Sequence, residues 1–386
     1  MNKLFTLIAS AATLLLMTSC LKDGTETIVL DPHTGVPGIP SDSSAEPNPI
    51  VTENNAVIPN VQYSTETEGD NVIVRIDMTG VQDPETLEWL RLIGTGGEKG
   101  SEQNVWVEID GKPKGIDVYN TIDDEDNAVL VMNDFVFLVD NSGSMGDEAD
   151  AVARDIVSWA KTLNATLDVR FGLVGYDGCI HGAINLTTYS ELNAYLNERD
   201  ATGVSRTMGF GGADSYSLES AAGNYYIDCQ KECGVAALRF ADSQFSFRDG
   251  ANRIYVNFTD EPNYPGGMSK YSVEYVETAW ESYKGTIHTV ISDDDILPIS
   301  EERLECEDPT RMSKATGGSI IITDSSFADV TLYDLPVSMA MQNSYVIRFT
   351  NVREFMDGKL HEVKITIVTA DNSVMAEKVF MMAFSE

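Results

Sequence analysis

The sequence predicts an α/β fold: a Rossmann-like, doubly wound and mostly parallel sheet inserted into a β-sandwich built from the flanking segments. Three observations predict it. Short apolar runs, too brief for helices, alternate with stretches of helical period through the middle of the chain. Period-two alternation dominates on either side of that region. Neither flanking part has enough strands to bury a core alone.

The 386 residues are 42% hydrophobic and 9% aromatic with 13 prolines, a composition that folds. At about 150 residues per domain, two or three units are expected. Lys+Arg total 26 against Asp+Glu 61, a formal charge of −35. That balance repels phosphate backbones and anionic lipid surfaces, which argues against nucleic acid and leaves membrane contact to an anchor. The 4 histidines are spread along the chain and form no cluster for zinc or for His-based catalysis.

The chain opens with Lys3, an apolar run over 4–17, and the small residues Thr18 and Ser19 before Cys20. The run is too short to span a bilayer comfortably and reads as an export leader over 1–19. Met17-Thr18-Ser19-Cys20 resembles a bacterial lipobox. That resemblance implies lipid attachment at Cys20 and anchoring in the envelope of a Gram-negative bacterium, at the outer membrane, with the periplasmic or surface side open. Residues 20–55 hold Pro32, Pro37, Pro40, Pro47 and Pro49 among Gly, Ser and Asp and read as a tether. Beyond Cys20 stand Cys179, Cys229, Cys233 and Cys306, an even number that suggests disulfides in an oxidising compartment. Three connectivities are open, and reduced, packed thiols are the alternative.

Residues 56–131 read as strands. Val72, Val74, Ile76 and Met78 alternate over 71–78, and Val105, Val107 and Ile109 do so before the turn Asp110-Gly111. The run Asp123-Asp124-Glu125-Asp126 reads as a solvated turn, with a calcium loop as the alternative. Residues 132–335 change character. A buried strand at 134–139 precedes a helix over 148–163, with Val152, Ile156, Trp159 and Leu163 on one face. A strand at 169–176, a helix at 190–198 and a helix from Ser217 follow. Then come a strand at 253–258, a helix at 273–283, a strand at 286–291, a helix at 311–316 and a strand at 319–323. Residues 336–386 return to strands at 344–351, 361–369 and 377–382.

The chemistry is concentrated at strand ends, where open α/β sheets bind ligands. Asp140-Asn141-Ser142-Gly143-Ser144 closes the first buried strand and puts one carboxylate and two hydroxyls into one tight loop. These are hard oxygen donors suited to Mg²⁺ (or Mn²⁺), and the neutral hydroxyls leave the ion's charge largely uncompensated. Thr259-Asp260-Glu261 ends another parallel strand, and a polar loop Gly211-Gly212-Ala213-Asp214-Ser215-Tyr216-Ser217 lies between the two in sequence. Aspartates at such positions also cap helices, but capping does not require the paired serines.

These features resemble the von Willebrand factor A domain with its metal-ion-dependent adhesion site, over residues 132–330. The ending Ala315-Thr316-Gly317-Gly318 is a further mark. The resemblance implies Ser142 and Ser144 as direct ligands, with Asp140 and Asp260 acting through water. Asp214-Ser215-Tyr216-Ser217 is similar to the Asp-Ser-Pro-Glu stretch of integrin β-subunit domains, which makes Ser217 the middle ligand and Asp214 and Glu219 additional candidates. Asp147 and Glu148 are spaced from Ser144 like the acids of an adjacent metal site in those domains, which would take Ca²⁺. Acids are also expected there as first-turn helix charges.

An incomplete metal shell implies a partner's Asp or Glu at the open position. The expected function is therefore a lipid-anchored, metal-dependent binding or adhesion module for a protein or peptide. A structural or tip component of a surface assembly, with this region as scaffold, is the alternative. No Ser/His/Asp or Cys/His pairing stands near the metal loops, and a metal-assisted hydrolase would have only Glu261 as base, so no enzyme is expected.

Overall fold

The computed structural model describes residues 38–69, 71–97, 101–123, 131–145, 149–201, 212–213, 216–227, 231–292, 305–324, 327 and 336–384. The leader, Cys20, Asp147, Glu148, Asp214 and Cys229 lie outside the described residues.

The first segment contributes β1 (Val61–Glu68), β2 (Asn71–Met78), β3 (Val105–Ile109), β4 (Lys112–Pro113) and β5 (Asp117–Asn120). The middle supplies β6 (Met132–Asp140), α1 (Ala149–Thr166), β7 (Asp168–Tyr176), β8 (Ile180–Thr187), α2 (Tyr189–Ala201), β9 (Gly212–Ala213), α3 (Tyr216–Ala222) and α4 (Gly234–Gln244). It continues through β10 (Asn252–Thr259), α5 (Val273–Ala279), β11 (Thr286–Ser292), α6 (Thr310–Thr316), β12 (Ile320–Thr323) and α7 (Pro336–Gln342). The chain ends with β13 (Tyr345–Phe349), β14 (Leu360–Val368) and β15 (Met375–Ala383).

The middle sheet has the order β12-β11-β10-β6-β7-β8-β9. β6 pairs in parallel with both β7 and β10, and β10 with β11. β8 runs antiparallel to β7. The alternation along β6 explains why the sheet is covered on both sides. Phe135, Phe137 and Val139 meet Val152, Ile156 and Trp159 of α1 and Leu192 of α2 on one face. Val136 and Leu138 meet Val235, Leu238 and Phe240 of α4 and Val276 of α5 on the other. This is the doubly wound arrangement that the strand and helix alternation predicts.

The flanking strands interleave. β13 enters between β2 and β5, and β14 lies between β3 and β15, giving the sheets β1-β2-β13-β5 and β15-β14-β3-β4. Val74, Ile76 and Ile347 from one sheet and Val107, Ile365 and Phe380 from the other form a single core. The sandwich thus draws strands from both sides of the middle region, as a shortage of strands in each segment demands.

Residues 38–55, read from the sequence as the end of a tether, instead lie on the sandwich. Lys114 is buried and its Nζ meets Asp42 Oδ2 at 2.5 Å, while Gly115 N donates to Asp42 Oδ1 at 2.9 Å. Asn48 Nδ2 donates to Thr366 Oγ1 at 2.9 Å, and Asn55 N donates to Met375 O at 3.0 Å. Proline and polar composition cannot distinguish a free segment from one whose backbone is satisfied by a neighbouring sheet.

The sandwich docks at the amino ends of the middle strands. Asn60 Nδ2 donates to Gly285 O at 2.8 Å, just before β11, and Lys378 Nζ donates to Asn60 Oδ1 at 2.6 Å. The carboxyl ends are left facing the opposite direction. Among the described residues no helix is long and apolar enough to cross a membrane.

Candidate metal centre

β6 is the strand at which the winding reverses: the chain passes from it to β7 on one side and later returns as β10 on the other. The carboxyl ends of β6 and β10 flank this reversal point, the usual ligand position in such sheets. The register sets Phe258 beside Val139, so Thr259-Asp260 emerges next to Asp140.

The residues there are joined directly. Ser142 N donates to Asp140 Oδ1 at 2.9 Å, an aspartate turn that folds the loop back over the strand end. Ser142 Oγ and Ser144 Oγ are 2.8 Å apart, and Ser144 Oγ donates to Asp260 Oδ1 at 3.2 Å. Thr259 Oγ1 donates to Asp140 Oδ2 at 2.8 Å and fixes the carboxylate from β10. Asp140 is fully buried, Ser142 nearly so, and Ser144 is exposed. The cluster therefore runs from a buried carboxylate at the bottom to a hydroxyl at the rim.

Sequence reasoning missed Glu232. It stands directly before α4, and its backbone is held from both neighbouring loops: Tyr264 N donates to Glu232 O at 2.7 Å and Cys233 N donates to Asp177 O at 3.0 Å. Burial, then the charges of Glu261, Asp260 and Asp177, push its carboxyl up to about 7. Burial, then Asp260 and Glu232, hold Asp140 well above the ordinary carboxylate range. Glu232 thus shares one field with Asp140 and Asp260. The signal in the sequence was Glu232-Cys233-Gly234 opening onto the apolar stretch Val235–Leu238, the start of a helix.

Ser217 and Glu219 are exposed on α3, which packs on β8 and β9. β9 pairs in parallel with Gly182 and Ala183 of β8, which lie beside Gly175 and Val174 near the carboxyl end of β7. The structure brings Asp140, Ser142, Ser144 and Asp260 together, and the charge of Glu232 acts on Asp140. Of the candidate disulfide residues, Cys179 is disulfide-bonded, whereas Cys233 carries a thiol outside any disulfide. Cys233 is wholly buried at the start of α4, and burial pushes its thiol up to about 12.

The donor set fits a hard divalent cation: hydroxyl and carboxylate oxygens, with carboxyls whose pKa is raised by burial and by each other. A bound cation would favour the ionised forms that this field opposes. Among the described residues there is no cluster of three or more His, Cys, Asp or Glu side chains that could hold a metal by those groups alone. Any shell here is completed by the two serines.

No protein-family model and no curated protein matches the chain. Among solved structures, the pilus adhesin SpaC from Lactobacillus rhamnosus GG, in its open conformation, is 10% identical with a TM-score of 0.36, covering 84% of this chain and 47% of that one. This chain thus spans about half the length of SpaC. A von Willebrand factor type A protein from Catenulispora acidiphila is 10% identical at a TM-score of 0.30, covering 88% of this chain and 76% of that one. The vWF domain of the type V pili tip protein Mfa5 from Porphyromonas gingivalis is 17% identical at a TM-score of 0.22, covering 35% and 40%.

Proposed function

We propose that this chain is a lipid-anchored binding module of the bacterial envelope that holds a protein partner through a divalent cation, Mg²⁺ or Mn²⁺. Asp140, Ser142, Ser144, Glu232 and Asp260 would hold the ion, which when bound supplies an electrophilic position for an Asp or Glu of the partner. The observation that carries this reading is the oxygen cluster at the reversal point of the sheet, with two hydroxyls set among carboxyls that raise one another's pKa. The protein's part is to orient. Thr259 locks Asp140, the aspartate turn aims Ser142, and the loops around Glu232 set the third side of the site. The acidic surface repels an acidic partner, but salt screens that beyond about 8 Å, so recognition is short-ranged. Asp147 and Glu148, by their spacing from Ser144, are proposed to hold an adjacent Ca²⁺.

Partner capture from native membranes, with and without EDTA, tests the reading. It should require Mg²⁺ and be lost in Ser142→Ala and Asp260→Ala, both of which keep the wild-type circular dichroism spectrum. Capture that persists in EDTA and in both variants would favour a scaffold role in a surface assembly.

A further inference from the structure

At the far end of the middle sheet, where the sandwich meets the amino ends of β11 and β12, there is a cleft of about 250 Å³. Residues of the sandwich side, Trp89 and Thr79 among them, form one wall, and His288 and Ser319 lie on the other. None of its fourteen lining residues is Asp, Glu, Lys or Arg. In a chain with 23% charged residues, about three of fourteen would be expected to be. The cleft is therefore electrically plain within a strongly acidic protein and suits a neutral occupant.

His288 gives the cleft a defined donor. Its Nδ1 accepts the backbone N–H of Ser319 at 2.9 Å, so the ring proton resides on Nε2. Burial depresses the imidazole to about 3, which keeps it neutral at ordinary pH. Among the described residues no acceptor is paired with that Nε2–H, although the residue is only 5% exposed. Nε2 is not among the buried side-chain atoms left without a partner, so it keeps access to solvent and is available to donate to an occupant of the cleft. Trp89 adds a flat apolar surface held in place, because its ring lies across Gly80, where a Cβ would come within 2.7 Å of Cε3. Thr79 and Ser319 add uncharged polar residues to the same lining.

We propose that this cleft binds a neutral pyranose ring, with the sugar's C–H face against Trp89 and a ring hydroxyl accepting from His288 Nε2. A cleft of about 250 Å³ has room for one sugar ring and not for a whole oligosaccharide. Clefts between packed units are common ligand positions. The site lies at the opposite end of the sheet from Asp140 and does not depend on the metal.

Saturation-transfer NMR on the full chain tests the assignment, using methyl pyranosides of glucose, galactose and mannose, with glucuronate as the charged comparator. At least one neutral pyranoside should bind in the millimolar range, with glucuronate weaker by about tenfold or more, since a carboxylate would be desolvated without a partner. EDTA and Ser142→Ala should change nothing. His288→Leu and Trp89→Leu should each weaken binding by about tenfold. Should either unfold, Thr79→Val, which keeps the side-chain shape, should weaken it several-fold. The same sugar placed at the end of a linear trisaccharide separates a terminal glycan residue, which binds, from a free monosaccharide, for which only the methyl glycoside binds. Absence of saturable binding by all three pyranosides, equal binding of glucuronate, or affinity unchanged in every folded cleft variant would overturn the proposal.

Discussion

Glu232 is held by its backbone between the loops after β7 and β10, with its carboxyl among three other acids. A carboxyl raised from 4.5 to about 7 binds its proton more tightly in the folded protein than in the unfolded chain. Its contribution to stability is therefore complete below the unfolded value and is lost as pH rises through about 7. In metal-free buffer at pH 8, Glu232→Gln should stabilise the fold by on the order of 1 kcal/mol, allowing for partial solvent screening. The gain should vanish near pH 4. Calorimetric titration with Mg²⁺ should show the opposite sign, with Glu232→Gln losing affinity about tenfold or more. An unchanged metal affinity would remove Glu232 from the shell. At this scale the sequence revealed what was local. Asp140, Ser142 and Ser144 sit within one loop, and Asp260 follows a recognisable strand. Glu232 joins them only through tertiary contacts between separate loops.

Two glycines after α6 show how an element sets its neighbour. Gly317 closes the helix in the left-handed region at φ 78°, and its N–H returns to Ser313 O. At Gly318 a Cβ would stand 1.9 Å from Ile287 O, so only glycine lets the chain pass β11 closely enough to start β12. Gly318→Ala should cost about 3 kcal/mol or more and lower the melting temperature by several degrees, read by differential scanning calorimetry. His288, on β11 itself, gives that region an acid limit. Its pKa falls from 6.5 to about 3, so its stabilising contribution is present above pH 6.5 and is lost as pH falls through 6.5 toward 3. His288→Gln should flatten the fall in melting temperature across that window. Most elements of the middle region were legible, because runs buried on both faces and helices of 3.6 period carry their own signal. β8 and α4 were not. Ile180–Thr187 holds glycine and asparagine within a strand, and the Gly234–Gln244 stretch is buried over so much of its surface that no polar face marks its period.

For the whole molecule, the sandwich depends on residues far apart in sequence. Its strands come from 61–120 and 345–383, and the segment 38–55 crosses both sheets. Asp42→Ala would leave the buried Lys114 ammonium with the Asn351 carbonyl, 3.1 Å away, and the Phe355 ring in place of a carboxylate. Loss of about 2–3 kcal/mol is expected, together with faster proteolysis before residue 60, measurable by mass spectrometry of the fragments. Wild-type cleavage kinetics in that variant would mean that the segment is held by its other contacts. The insertion was legible from strand shortage alone. The docking of 38–55 was not, because polar residues that cap a sheet edge have the same composition as residues in water.

The interleaving of β13 has a mechanical consequence. It is antiparallel to β2 on one side and to β5 on the other, and it follows directly from α7 of the inserted region. Tension between the carboxyl ends of the middle sheet and the sandwich passes through two covalent crossings, one into β6 and one out of α7. A pull along β13 would shear two ladders at once, breaking several hydrogen bonds together instead of peeling them one by one. Forced extension follows the unfolding rate and not the equilibrium stability. Single-molecule pulling from the middle region should therefore rupture the sandwich at a higher force than pulling on β15, an edge strand that can unzip from β14.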